Sequence, residues 1–277
     1  MQVNFNNSPR LIRNFLDYIL GVRGYSINTA KAYNYDLMQF FNFLKAYNKI
    51  ELDINYFNEL ILLHVKKQDI LAFQVYLNYN RDNNPYTRQR KITAIRCFYN
   101  WLLLNFPRND NPAQSIPNIQ KVIRLPKYLD IENAKKIQKV FNIKNSKFPL
   151  RNNTIISLFL STGMRVSELV NLNIKDVNFK NSSICVLGKG NKERTVYLNS
   201  YCKKQLLLYI NNRFKEKRII NINEPLFIGC RHKRLGIDGV EYICKKAYKL
   251  LGLENMGYCV HTLRHTVASS IYINVKQ

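Results

Sequence analysis

Apolar residues recur at helical spacing through the first hundred positions of the chain. Leu11, Ile12, Phe15, Leu16 and Ile19 form one stripe, opened by Ser8-Pro9 as an N-cap with proline in the first turn and broken at Gly21 and Gly24. A second helix is predicted from about Asn28, with Ala30, Tyr33, Leu37, Phe40, Phe41 and Leu44 on its apolar face. A third carries Ile70, Phe73, Gln74 and Leu77. A fourth follows Pro85 and turns Ile92, Ile95, Tyr99, Leu102 and Leu103 inward, leaving Arg88, Arg90, Lys91 and Arg96 on its opposite side. Four amphipathic helices joined by modest connections make a small bundle.

The pattern then lapses. Pro107, Pro112, Pro117 and Pro126, spaced by Asn and Asp, can continue neither a helix nor a strand. They predict a helical domain over residues 1–110, a linker at 111–127 and a second domain over 128–277. In that second domain Asp130 caps a helix through about Val140, and Thr154 to Leu160 is apolar enough for a buried helix ended by Gly163, with Ser167 capping the next. Ile184, Val186, Thr195 and Tyr197 alternate on either side of a Gly-Lys-Gly-Asn turn, which predicts a β-hairpin. Ser200 caps a helix through about Arg213, and Val240, Ile243, Ala247, Leu250 and Leu251 mark another, closed by Gly252. A last helix begins near His261 and buries Leu263, Val267 and Ile271. The expected fold is mainly α: a four-helix unit, then an α+β domain with one small antiparallel sheet.

Charge narrows the partners. Lys and Arg number 43 against 18 acidic residues in 277, a net charge of +25. A surplus of that size calls for a polyanion. No apolar run reaches membrane-spanning length and the opening MQVNFNNSPR lacks an apolar signal core, so a cytoplasmic protein acting on nucleic acid is expected rather than a membrane protein. The six cysteines form no CxxC pair, and no His stands at zinc-finger spacing, so reduced thiols and no metal are expected.

Three places then offer chemistry. Arg165 lies in the tight connection between two predicted helices, where a guanidinium could give paired hydrogen bonds to phosphate oxygens; the competing reading is a structural pair with Glu168. The hairpin turn carries Lys189, Lys192 and Arg194, either solvated cations or ammonium groups delivered into a groove, where a lysine can protonate a leaving oxygen. His261 and Arg264 stand three apart on one helix, over a common patch at an end that favours anions. His265 points elsewhere and reads as structural. Two Arg, one Lys and one His around an anion suggest phosphoryl transfer with no metal or other cofactor, since the sequence has neither a carboxylate cluster suited to Mg²⁺ nor a Walker-type loop.

The segments TGMRVSELVNL, LGKGNKERTVYL and HTLRHTVAS, in that order, resemble the tyrosine recombinase (phage integrase) family, especially the Xer-type chromosome-dimer recombinases. NTAKAYNYDLMQFFNFL and TRQRKITAIRCFYNWL resemble that family's SAM-like core-binding domain, and NPA followed by LPKYL its interdomain linker. The resemblance implies that Arg165 and Arg264 grip the scissile phosphate, that Lys189 is the general acid for the 5′-hydroxyl, and that His261 assists the nucleophile. It implies double-stranded DNA as partner, a tetramer on two DNA sites, and a place at the nucleoid. Arg88, Arg90, Lys91, Arg96, Lys192 and Arg194 are the expected DNA contacts. The family's Gly-His (or Trp) element and nucleophilic Tyr, which forms a 3′-phosphotyrosine, should follow several turns beyond Arg264. Neither is present up to Gln277, and Tyr272 reads as a packing residue. The expectation is therefore a C-terminally truncated recombinase with no nucleophile in the chain, binding DNA without cleaving it. The alternative is a non-catalytic DNA-binding protein occupying recombination sites. A plain helix-turn-helix regulator explains the charge but not the ordered motifs.

Overall fold

The computed structural model describes residues 5–107, 110–120, 125–188, 192–215 and 221–276, with side chains as far as Ser269. The chain forms two compact units, Met1–Ile123 and Arg124–Gln277.

The first unit contains α1 (Arg10–Gly21), α2 (Ile27–Tyr47), α3 (Glu59–Leu63), α4 (Lys67–Tyr79) and α5 (Pro85–Asn105). The four expected helices are present, joined by the short α3. Ser26 caps α2 by accepting the Thr29 N–H at 3.1 Å, and Asn84 caps α5 by accepting that of Thr87 at 2.9 Å, with Pro85 at the first helical position. Ser8 does not cap α1. Pro9 holds that position, and the Ser8 hydroxyl instead donates to Asn34 of α2 at 2.8 Å. The interior is rich in aromatic rings, with Phe15 meeting Phe98 edge to face at 5.4 Å between ring centres.

Two features of this unit depart from the sequence reading. Lys91 is not on the outer side of α5: it is only 2% exposed, and its ammonium donates to Asp36 at 3.0 Å and to Gln39 at 2.6 Å. Asp36 lies inside the apolar stripe of α2, between Tyr33 and Leu37, and a carboxylate fully buried there needs a cation brought in with it. Arg90 donates to the other oxygen of the same carboxylate while keeping part of its surface in solvent. The second departure concerns the proline-rich stretch. Ala113 and Ile116 are buried in the helical core, and Arg96 donates to their carbonyls at 3.1 and 2.9 Å. Asn111 adds bonds to the Arg96 carbonyl and to Asn100. The prolines end regular structure there without ending packing. Two of the Arg96 nitrogens are thereby bonded to the unit's own backbone.

The second unit opens with α6 (Ile131–Ile137), capped by Asp130 through the Asn133 N–H at 2.7 Å. The helices α7 (Pro149–Thr162) and α8 (Val166–Asn171) follow. Strands β1 (Val177–Asn178), β2 (Ser183–Leu187) and β3 (Glu193–Tyr197) form an antiparallel sheet in that order, with Cys185 opposite Thr195. Then come α9 (Ser200–Arg213), α10 (Ile237–Leu250) and α11 (Val260–Lys276). The cap of α9 is Asn199 rather than Ser200, accepting the Cys202 N–H at 2.8 Å. Buried Ile155, Ile156, Leu158 and Phe159 make α7 the centre of this core, with Leu206 of α9 and Leu263 of α11 among its partners.

Candidate functional site

The site grows from the turn between α7 and α8. Gly163 ends α7 in the left-handed conformation, φ 59° and ψ 22°, which reverses the chain at little steric cost only because it lacks a Cβ. A Cβ built there would lie 3.6 Å from Val267, so α11 runs directly past this turn. Arg165 occupies the N-cap position of α8 in extended conformation, and Ser167, expected to be the cap, falls inside the helix. The orphan N–H of Arg165 is instead satisfied by Glu168 at 2.7 Å, the acid three residues on that a capping box requires.

Glu168 is the hub of the site. Its side chain is 3% exposed and receives four donors. Oε1 accepts Arg165 Nη1 at 2.9 Å and Arg194 Nη1 at 2.7 Å; Oε2 accepts the Arg165 backbone N–H and Arg194 Nη2, both at 2.7 Å. Burial alone would push this carboxyl up, but the hydrogen bonds from Arg194 and Arg165 outweigh it and hold the pKa down at about 2. Arg194 reaches it from β3, so the carboxylate ties the hairpin to the start of α8. Arg165 thus makes the expected pair with Glu168, and its side chain remains 50% exposed.

The other end of the site is α11. Thr262, Leu263 and Thr266 face inward, with Thr266 accepting the Leu129 N–H at 3.0 Å and donating to the Thr262 carbonyl at 2.8 Å. That orientation leaves His261 and His265 exposed and carries Arg264 to the turn, where its Nη1 donates to the Gly163 carbonyl. Val267 is half-buried, and the side chain of Ile271 lies outside the described residues. The Tyr248 hydroxyl donates to the Cys259 carbonyl at 3.0 Å and pins the chain just before the helix begins.

Arg165, Glu168 and Arg194 thus form one ionic cluster, and Arg264 comes onto the same turn. Lys189 lies outside the described residues. The bases of its turn are joined by the Gly188 N–H donating to the Lys192 carbonyl at 2.7 Å, and Lys192 itself is exposed. Arg88 and Arg90 belong to the first unit, half-buried and exposed respectively. The sequence reading overlooked Asp36, although an acid inside an apolar helical stripe was a usable signal. It also overlooked Arg234, whose guanidinium donates to the carbonyls of Val170 and Leu172 and to Asn173, closing the far end of α8. No local pattern announces that contact.

Comparison with known proteins agrees with this architecture. Residues 12–105 match the phage integrase N-terminal SAM-like domain, and residues 127–275 match the phage integrase family. The tyrosine recombinase XerC of Caldanaerobacter subterraneus subsp. tengcongensis is 38% identical over 273 residues, covering 95% of this chain and 75% of that protein. The XerC of Thermodesulfovibrio yellowstonii is 34% identical, covering 96% of this chain and 83% of its own length. The fold is shared with the XerH site-specific recombinase bound to its difH substrate, at 20% identity, a TM-score of 0.69 and coverage of 96% and 74%. It is shared also with the Tn1549 transposon integrase bound to transposon right-end DNA, at 17% identity, a TM-score of 0.68 and coverage of 95% and 87%. With both of its units matched and more than a third of its residues shared with a XerC relative along nearly its whole length, the chain belongs to the phage integrase family, as a Xer-like tyrosine recombinase.

Proposed function

We propose that residues 1–277 hold the phosphate-gripping part of a DNA strand-exchange site and bind duplex DNA without cleaving it. Arg165 and Arg264 take the scissile phosphate, His261 hydrogen-bonds it from the exposed side of α11, and Lys189 protonates the departing 5′-hydroxyl. The observation that carries this reading is the bond from Arg264 to the Gly163 carbonyl, which brings the second arginine to the turn bearing the first. Fixed guanidinium groups stabilise the charge on the non-bridging oxygens more in the pentacoordinate transition state than in the ground state.

Duplex DNA is the proposed partner. The net charge of +25 and the DNA-bound state of the XerH and Tn1549 structures support it. Assembly as a tetramer on two duplexes, at the nucleoid, is the corresponding proposal for the working complex. Strand cleavage needs a tyrosine that can reach the phosphate in line with the leaving oxygen, and Tyr272 is the only tyrosine after Arg264 in the 277 residues. It sits in the same helix as Arg264. A suicide-substrate assay tests the reading: salt-sensitive duplex binding is expected with no covalent adduct. A phosphotyrosine adduct formed by this chain would overturn it.

A further inference from the structure

Arg194 was expected to touch DNA, and its geometry argues for a different task. A carboxylate offers about four lone-pair positions, and those of Glu168 are all used. Two go to the Arg194 fork, one to the Arg165 backbone and one to Arg165 Nη1. Arg165 therefore spends a single side-chain nitrogen on its acid. Its Nε and Nη2 hold no hydrogen bond among the described residues, and the side chain is half exposed. Those two nitrogens form the side-on edge of the guanidinium, the fork that matches two oxygens of a phosphate.

We propose that Arg194 is a positioning residue for Arg165: by filling the Glu168 carboxylate it prevents the acid from taking the whole Arg165 fork, and so keeps that edge open for DNA phosphate. The proposal rests on the reading of Arg165 as a phosphate ligand. Glu168 is only three residues along from Arg165 and is buried at the base of the turn, where an ion pair is screened far less than on the surface. Without Arg194, two acceptor positions open beside the Arg165 guanidinium, which can swing to close a two-bond pair. The phosphate then competes with a neighbouring carboxylate for the same edge. Arg194 itself has both terminal nitrogens engaged on Glu168, at 2.7 Å each.

The test measures the affinity of the full chain for a short mixed-sequence DNA duplex at low salt. The variants are Arg165→Ala, Arg194→Ala, their double, Arg194→Lys, and Arg194→Ala combined with Glu168→Gln, each with a thermal melt. Arg194→Ala is expected to weaken binding about as much as Arg165→Ala, roughly tenfold or more for one charge-assisted phosphate contact. The double should be no weaker than Arg165→Ala alone, and adding Glu168→Gln to Arg194→Ala should restore most of the loss. Arg194→Lys keeps the charge and should fold, yet it cannot fill both carboxylate oxygens, so a partial loss is expected where a plain phosphate contact would be retained. Losses that multiply in the double, full affinity in Arg194→Lys, or no recovery with Glu168→Gln would each overturn the proposal. If Arg165→Ala binds as tightly as the parent, it is the phosphate reading of Arg165 that fails, and the positioning role fails with it.

Discussion

Among the described residues each unit buries one carboxylate against two cations, and the two centres are built to opposite ends. In the helical unit Asp36 has no exposure, Lys91 is almost as buried, and only Arg90 reaches solvent. In the second unit Glu168 is equally hidden, but both of its partners, Arg165 and Arg194, stay well exposed. A lysine drawn wholly inside has nothing left to offer a ligand. An arginine can satisfy a buried acid with one nitrogen and keep a second edge outside. The protonation equilibria follow the same division: burial pushes the Asp36 carboxyl up despite Lys91 and Arg90, whereas the arginine bonds overcome burial and hold Glu168 at about 2. One centre locks the packing of α2 against α5; the other presents charge at a turn.

The largest effect should come from breaking the closed centre. Asp36→Ala leaves Lys91 buried without its counter-ion and is expected to cost about 3–5 kcal/mol in denaturant unfolding of the helical unit. Replacing both residues by apolar ones of similar volume should recover most of that loss. If Asp36→Ala unfolds like the parent, Lys91 escapes to solvent and the contrast collapses.

Acid sharpens the comparison next. Above about pH 4.5 Glu168 is ionised whether the chain is folded or not, and its stabilisation is complete. As pH falls towards about 2 the unfolded chain takes up a proton that the folded chain refuses, so stability is lost, by about 3 kcal/mol over that window. Glu168→Gln should flatten this limb in melts recorded across the acid range; an unchanged limb would remove the arginine bonds as its cause. Asp36 contributes with the opposite sign. Its raised carboxyl favours the folded state at low pH, and that share is lost as pH rises through the carboxylate range.

Smaller effects belong to ligand binding. Arg264→Ala should weaken duplex binding about tenfold, as expected when one charge-assisted phosphate contact is removed, with little change in melting temperature. A matching loss of stability would mean that its bond to the Gly163 carbonyl is its whole purpose. Smallest of all, Lys192→Ala should lower affinity about twofold and reduce the slope against salt by about one unit. The same assay on Arg88→Ala probes the outer side of α5, because Arg90, Lys91 and Arg96 are each bonded within the unit.

Much of this was legible in the chain. Helical periodicity located α1, α2, α4 and α5, and alternation located the β2–β3 hairpin, because those elements are long enough to repeat their period. The five residues of α3 and the two of β1 are not. Caps were misplaced where two capping residues adjoin, as Asn199 and Ser200 do, because the choice depends on backbone angles that sequence does not state. The motif order singled out Arg165 and Arg264, which meet at the turn after α7. The Arg165–Glu168 pair, three residues apart, could be read, but the distant pairs could not. Arg194 and Glu168 are 26 residues apart and Lys91 and Asp36 are 55 apart, and such partnerships are set by packing rather than by local pattern.

The clasp that Arg96 and Asn111 place on residues 111–116 also carries the helical unit past the end of its last helix. Ile116 is buried in the helical core, eleven residues beyond the end of α5, and Leu129 belongs to the core of the second unit. A fragment cut to isolate the helical unit must therefore run as far as Ile116: stopped at Asn105 it would lose Ala113 and Ile116 from its core and leave Arg96 without the carbonyls it donates to.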